Sequence, residues 1–148
     1  MNETVYTIEQ AEKDFQYWCK LGNVNPKGKS KYKVPKSEFP PCMLNILNGI
    51  KDGKKRALFI LKNYLLCSNY SLSEVREIII DWNNENEHPL NISYINYHLK
   101  YGNNREFACP NCSKSGYYKS LNVCVKDDIC DLIKSPLQYS YHKHKRLF

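Results

Sequence analysis

Hydrophobic residues between positions 39 and 102 recur at intervals of three and four, the period of an amphipathic α-helix. The pattern predicts a short helix from Met43 to Ile50 with a turn at Gly53, and three further helices after it. The positions that define these three are Ala57, Leu58, Leu61, Tyr64 and Leu65, then Leu72, Val75, Ile78, Ile79 and Trp82, then Ile92, Ile95 and Leu99. Ser71 and Glu74 have capping-box spacing, and Asn91 is the predicted cap of the last helix. We find no internal repeat and no strand-rich region, so the predicted fold class is mainly α, a helical bundle.

The N-terminal part of the chain does not continue the pattern of the helical bundle. One apolar stripe predicts a helix from Thr7 to Lys20, and the stretch from Asn23 to Lys36 combines five lysines with proline and glycine and has no periodicity. We therefore divide the chain into an N-terminal helix with a basic flexible linker, residues 1–36, and a helical domain, residues 37–148. The basic tail from His142 to Arg146 is expected to be disordered.

The C-terminal portion of the domain is predicted to be irregular, loop-rich and held by cysteine-ligated metal. Four of the seven cysteines lie there: Cys109, Cys112, Cys124 and Cys130. Seven is an odd number and no secretory signal is visible, so we expect a cytoplasmic protein whose clustered thiols bind metal rather than form disulfides. The four thiols could hold one zinc ion at ~2.3 Å. A set with Cys42 in place of Cys109 would suit an iron–sulfur cluster, but nothing in the spacing selects that set, and spacing alone favours zinc.

The charge and length of the chain limit the classes of function that it can have. The chain has 148 residues, is 42% hydrophobic, and carries 22 Lys and Arg against 15 Asp and Glu, a net charge of +7. This excess favours a polyanionic partner such as nucleic acid. No apolar run approaches the ~20 residues that span a bilayer, so no membrane association is expected. We find no P-loop, dinucleotide fingerprint or Asp-x-Asp pair, which argues against phosphoryl transfer by this chain alone.

Basic and aromatic residues supply the candidate contacts to nucleic acid. Three consecutive cations follow Gly53 at a predicted helix start, where backbone N–H groups already favour phosphate. Tyrosines interleaved with cations suit single strands, because bases stack on rings while cations meet phosphates. A histidine in the last predicted helix would contact phosphate or a core carbonyl. The candidates for nucleic-acid or nucleotide binding are Lys54, Lys55, Arg56, Tyr94, His98 and Tyr118.

Several short segments occur in an order that resembles a known family. They are Phe39-Pro40-Pro41-Cys42, Tyr94 with His98 before Gly102, Phe107 to Cys112, Asn122-Val123-Cys124, Asp128-Ile129-Cys130, and Lys134-Ser135-Pro136-Leu137-Gln138-Tyr139. Together they resemble the C-terminal iron–sulfur domain of the archaeal and eukaryotic DNA primase large subunit. Ser135 stands where that family usually has histidine. The segment around Arg56 looks closer to a related module of plasmid primases and small primase accessory subunits.

The resemblance implies a [4Fe–4S] cluster with the ligands Cys42, Cys112, Cys124 and Cys130. It also implies a non-catalytic part of a primase that supports RNA primer initiation. The implied partners are single-stranded DNA or a template–primer junction, an initiating nucleoside triphosphate, and a catalytic primase subunit. Two alternatives stay open: a zinc-binding nucleic-acid module of a regulator or plasmid replication factor, and a redox protein.

Overall fold

The computed structural model describes Glu9, Lys13, Ser30, residues 32–101 and residues 109–147. Glu9 and Lys13 are helical, and their side chains form an i,i+4 ion pair of 3.3 Å. The rest of the predicted helix Thr7 to Lys20, most of the linker before Lys36, and residues 102–108 lie outside the described residues.

Five α-helices make up most of the described part. They are α1 (Pro41–Leu47), α2 (Lys54–Cys67), α3 (Leu72–Glu85), α4 (Ile92–Tyr101) and α5 (Pro136–Leu147). Two 3₁₀ turns, Lys36–Glu38 and Cys130–Leu132, precede α1 and α5, and the described ranges contain no β-strand. The prediction of a mainly α fold is confirmed. Helix α1 ends at Leu47, earlier than predicted, because Gly49 adopts a left-handed φ of 115° that no helix can continue.

The predicted caps are present. The Ser71 hydroxyl accepts from the Glu74 amide at 3.2 Å, and the Glu74 carboxylate accepts from the Ser71 amide at 3.1 Å, so the capping box of α3 is confirmed. The Asn91 side chain accepts from the Ser93 amide at 2.8 Å, which satisfies a first-turn donor of α4.

Helix α2 is the centre of the bundle and is buried along most of its length. It packs against α1, α3 and α5. Tyr64 in this helix is fully buried, stacks edge-on against Phe39 with centroids 5.1 Å apart, and lies 2.5 Å from the Ser140 hydroxyl of α5. Trp82 of α3 donates to the Ile46 carbonyl of α1 at 2.8 Å, which ties these two helices together.

The basic tail is helical, so the prediction of a disordered tail is wrong. Ser135 accepts from the Gln138 amide at 3.4 Å and starts α5, which runs through the tail to Leu147. His142 is buried, and the Nδ1 atom of His144 lies 3.0 Å from the carboxylate of buried Glu38. These contacts hold the tail in place.

Within the described residues, no helix is both long enough and apolar enough to cross a membrane.

Candidate metal centre and nucleic-acid groove

Four cysteine thiols that are far apart in sequence line one cavity of about 190 Å³. They are Cys42, Cys112, Cys124 and Cys130, and all four are free and half-buried. The structure therefore places Cys42 beside three cysteines from the C-terminal portion, and these four are the set that the family resemblance implies.

Backbone contacts position these thiols. The amides of Met43 and Leu44 donate to the Pro40 carbonyl at 3.1 and 3.2 Å, and these bonds form the first turn of α1, which contains Cys42. The amide of Cys112 donates to the Lys134 carbonyl at 2.7 Å.

The loop that precedes Cys124 is attached to α1. The Asn45 side chain donates to the Val123 carbonyl at 2.9 Å, and the Val123 amide donates to the Tyr118 carbonyl at 3.1 Å. Cys124 is thus held near Cys42 by contacts that do not involve either sulfur.

The surroundings of the cavity disfavour the charged thiolate form of these cysteines. Burial, and then the neighbouring thiols, raise the pKa of Cys42 far above its usual range. Burial first, and the other thiols second, raise the pKa of Cys112 to about 11, and burial raises the pKa of Cys130 to about 11. Because thiolates are the form that binds metal, a bound cation would have to provide the charge that stabilises them.

The cavity is wider than a site for one ion. Roughly 10–15 Å³ of such space holds one water molecule, and a zinc ion needs four sulfurs at ~2.3 Å from one point. Among the described residues, no group of three or more His, Cys, Asp or Glu side chains is arranged so that it could hold a metal ion. The four thiols share one cavity without forming a closed coordination site there.

Cys109 does not line this cavity. Its side chain is buried, its sulfur is 3.3 Å from the Tyr118 hydroxyl, and burial raises the pKa of its thiol well above the usual range. Tyr118 is 1% exposed and donates to the Pro110 carbonyl at 2.7 Å. The Tyr118 ring is packed in the interior, and its contact with nucleic acid stays a prediction.

A second cavity, of about 290 Å³, forms an open groove on one side of α2. Its lining residues are Lys55, Arg56, Leu58, Phe59, Lys62, Tyr94, His98 and Tyr117. Four of the predicted contact residues, Lys55, Arg56, Tyr94 and His98, therefore lie together. Lys54 does not line the groove, and its ammonium donates to the Lys51 carbonyl at 2.7 Å.

Cations and rings alternate within the groove. The Lys55 ammonium is 4.9 Å from the centroid of the Tyr94 ring, whose centroid is 4.3 Å from that of His98. Arg56 donates to the Gly116 carbonyl at 2.7 Å. Phe59 and Tyr117, which also line the groove, are stacked with centroids 6.1 Å apart, a pair that the sequence analysis did not single out.

Lys62 also lines the groove, and no sequence pattern predicted this. The residue is only 2% exposed, and its ammonium lies 5.8 Å from the Phe59 ring centroid. Within the described part of the chain, no carboxylate or hydrogen-bond partner compensates its charge. Burial lowers the pKa of Lys62, and burial followed by the charges of Lys62 and Lys55 lowers the pKa of His98. The groove is therefore a concentrated positive site that an anion would stabilise.

The sequence is 27% identical over 120 residues to the DNA primase large subunit PriL of Methanocella arvoryzae. The alignment covers 77% of this chain and 31% of that protein, so the chain spans about a third of the length of this relative. No family model matches the chain, and no solved structure matches it. The similarity supports a relationship to the primase large subunits.

Proposed function

We propose that this chain is an accessory module of DNA priming that binds a template–primer junction and the 5′-triphosphate of the primer or initiating nucleotide. In this proposal the module has no polymerising centre and works with a catalytic primase subunit. The observation that carries the proposal is the groove in which Lys55, Arg56 and Lys62 face a common space with aromatic rings. The similarity to a primase large subunit supports priming as the setting.

The groove has the two kinds of group that such a ligand needs. Ammonium and guanidinium groups make charge-assisted hydrogen bonds to phosphate oxygens. Tyr94 and Tyr117 offer ring faces on which bases can stack, each worth roughly 1–3 kcal/mol. A triphosphate matches this groove in charge, because it carries several negative charges and three cations line the same space.

The same proposal assigns Cys42, Cys112, Cys124 and Cys130 to a [4Fe–4S] cluster. Support comes from the cavity that the four thiols share and from the resemblance of the segments that carry them to the primase iron–sulfur domain. A cluster there would join α1 covalently to the C-terminal loops, so its binding would contribute directly to folding. The competing zinc set needs Cys109, which is buried against Tyr118 outside that cavity.

Metal analysis of two serine variants tests the ligand set. We expect anaerobically purified wild-type protein to be brown and to contain about four irons per chain with inorganic sulfide. Cys42→Ser should lose the iron, whereas Cys109→Ser, the matched control, should retain it. One zinc ion per chain that survives in Cys42→Ser and disappears in Cys109→Ser would contradict the cluster.

Binding measurements test the groove. Fluorescence anisotropy with a primed single strand should show tighter binding to a primer that carries a 5′-triphosphate than to one with a 5′-hydroxyl. Lys55→Ala should weaken binding and reduce the salt slope by about one. Lys36→Ala removes an exposed lysine that lines a different cavity beside Asp81 and Glu85, and should leave both values unchanged. Equal effects of the two variants would argue against a specific site.

A further inference from the structure

The loop that ends at Cys130 is closed by one carboxylate. The Asp127 Oδ1 atom accepts from the amides of Ile129 and Cys130 at 3.0 and 3.2 Å. The Oδ2 atom accepts from the hydroxyl of Tyr139, a buried residue of α5, at 2.6 Å. Asp127 therefore links the backbone of a cysteine to a helix of the core.

A second chain of contacts runs from the same turn of α5 to another cysteine. The Gln138 side-chain oxygen accepts from the Lys134 amide at 2.7 Å. The carbonyl of Lys134 in turn accepts from the Cys112 amide at 2.7 Å. Two adjacent residues of α5, Gln138 and Tyr139, are therefore connected to two different cysteines of the thiol cavity.

The far end of α5 is fixed independently of these loops. His144 contacts both carboxylate oxygens of Glu38, at 3.1 and 3.0 Å, and Glu38 lies four residues before Cys42. The helix is thus anchored near the early cysteine at one end and holds the late cysteine loops at the other. Because the helix is rigid, the loops cannot open without breaking these hydrogen bonds.

We infer that Asp127, Gln138 and Tyr139 are positioning residues of the metal centre, which hold the Cys130 and Cys112 loops closed and so determine how long the metal group is retained. This inference rests on the proposed function in taking the four thiols as ligands. Hydrogen-bond partners outside the ligand set typically affect metal affinity by 10–100-fold. The Asp127–Tyr139 pair is the sharpest test, because Tyr139→Phe removes one hydroxyl and keeps the ring.

Release of iron to a chelator measures retention. The full chain, purified anaerobically, is mixed with an excess of a coloured iron chelator, and the loss of visible cluster absorption is followed. Tyr139→Phe and Asp127→Ala should each accelerate release about tenfold or more. The double variant should release iron no faster than Asp127→Ala, because Tyr139→Phe removes a hydrogen bond that Asp127→Ala has already removed. Tyr141→Phe, which removes another buried tyrosine hydroxyl from α5, is the matched control and should release iron at the wild-type rate.

Amide hydrogen exchange separates this inference from the proposed cluster. On the same purified proteins, Tyr139→Phe should raise the exchange rates of the Ile129 and Cys130 amides about tenfold, and Asp127→Ala should raise them further. If wild-type protein holds no iron but these rates rise, the cluster is wrong and the closing role of the pair is supported. If exchange and iron release both stay at wild-type rates in the two variants, the positioning role is overturned.

Discussion

Replacing Lys62 with methionine should stabilise the free protein and weaken its binding to a 5′-triphosphate primer. Lys62 is 2% exposed, and the described residues provide no carboxylate for its ammonium. An ammonium without a partner costs folding energy, whereas methionine has a similar length and fills the same space without charge. If the Lys62 ammonium binds a ligand, that role explains why the chain keeps a charge that destabilises its fold.

The two effects have predictable sizes. Replacing buried charges with apolar groups of similar volume commonly stabilises a protein, and we expect a gain of about 1 kcal/mol in the free energy of unfolding. For a chain of this size that corresponds to a rise of about 4 °C in Tm. Loss of one hydrogen bond between charged groups costs about 1.5–3 kcal/mol of binding, or roughly 10- to 100-fold in Kd.

The contribution of Lys62 to the stability of the protein should change with pH in a predictable direction. Burial lowers the native pKa of Lys62 from 10.5, so the unfolded chain binds this proton more tightly than the native protein does. The free energy of unfolding should therefore rise between the native pKa and 10.5, and the cost should be present in full at lower pH. The Lys62→Met variant should lack this pH-dependent contribution to the free energy of unfolding.

Thermal unfolding of both proteins between pH 7 and pH 10.5, together with anisotropy titrations at pH 7, measures both effects. Lys36→Met is the control, since it removes an exposed lysine outside the groove. A variant that is less stable than wild type and binds the 5′-triphosphate primer equally well would refute the role assigned to Lys62.

Three further substitutions test the fold by urea unfolding. Gly53→Ala should cost about 1–2 kcal/mol, because φ is 81° at this position and a Cβ would collide with the Leu121 side chain. Ser71→Ala should cost about 1 kcal/mol through loss of the capping box, and Ser73→Ala inside the same helix should cost clearly less. Tyr64→Phe should cost about 1 kcal/mol by removing the buried hydroxyl that contacts α5.

The helical bundle was predictable because its signals are local. Apolar residues at intervals of three and four define the buried faces, and the side chains of Ser71 and Asn91 cap helices within three residues of themselves. Helix α5 was not predictable in this way, because its last turns read as a basic tail. What keeps the tail helical is tertiary: His144 contacts Glu38, a residue 106 positions earlier.

The candidate groove was predictable only in part, for the same reason. Lys55 and Arg56 are neighbours at a helix start, and a run of cations is visible in any sequence. Lys62 sits among apolar residues and is recognisable only once its burial is known. Sequence alone does not distinguish the roles of Tyr117 and Tyr118. The Tyr117 ring lines the groove, whereas the Tyr118 ring is packed in the interior.

These two tyrosines also show how the thiol cavity and the groove are coupled. Tyr117 lines the groove, and its neighbour Tyr118 lines the thiol cavity. Arg56 of the groove donates to the Gly116 carbonyl, four residues after Cys112. One wall of the groove therefore belongs to the loop that a metal group on the four thiols would hold in place. A metal centre with a purely structural role would be sufficient to shape this binding site, so its loss should weaken primer binding even if no electron is transferred.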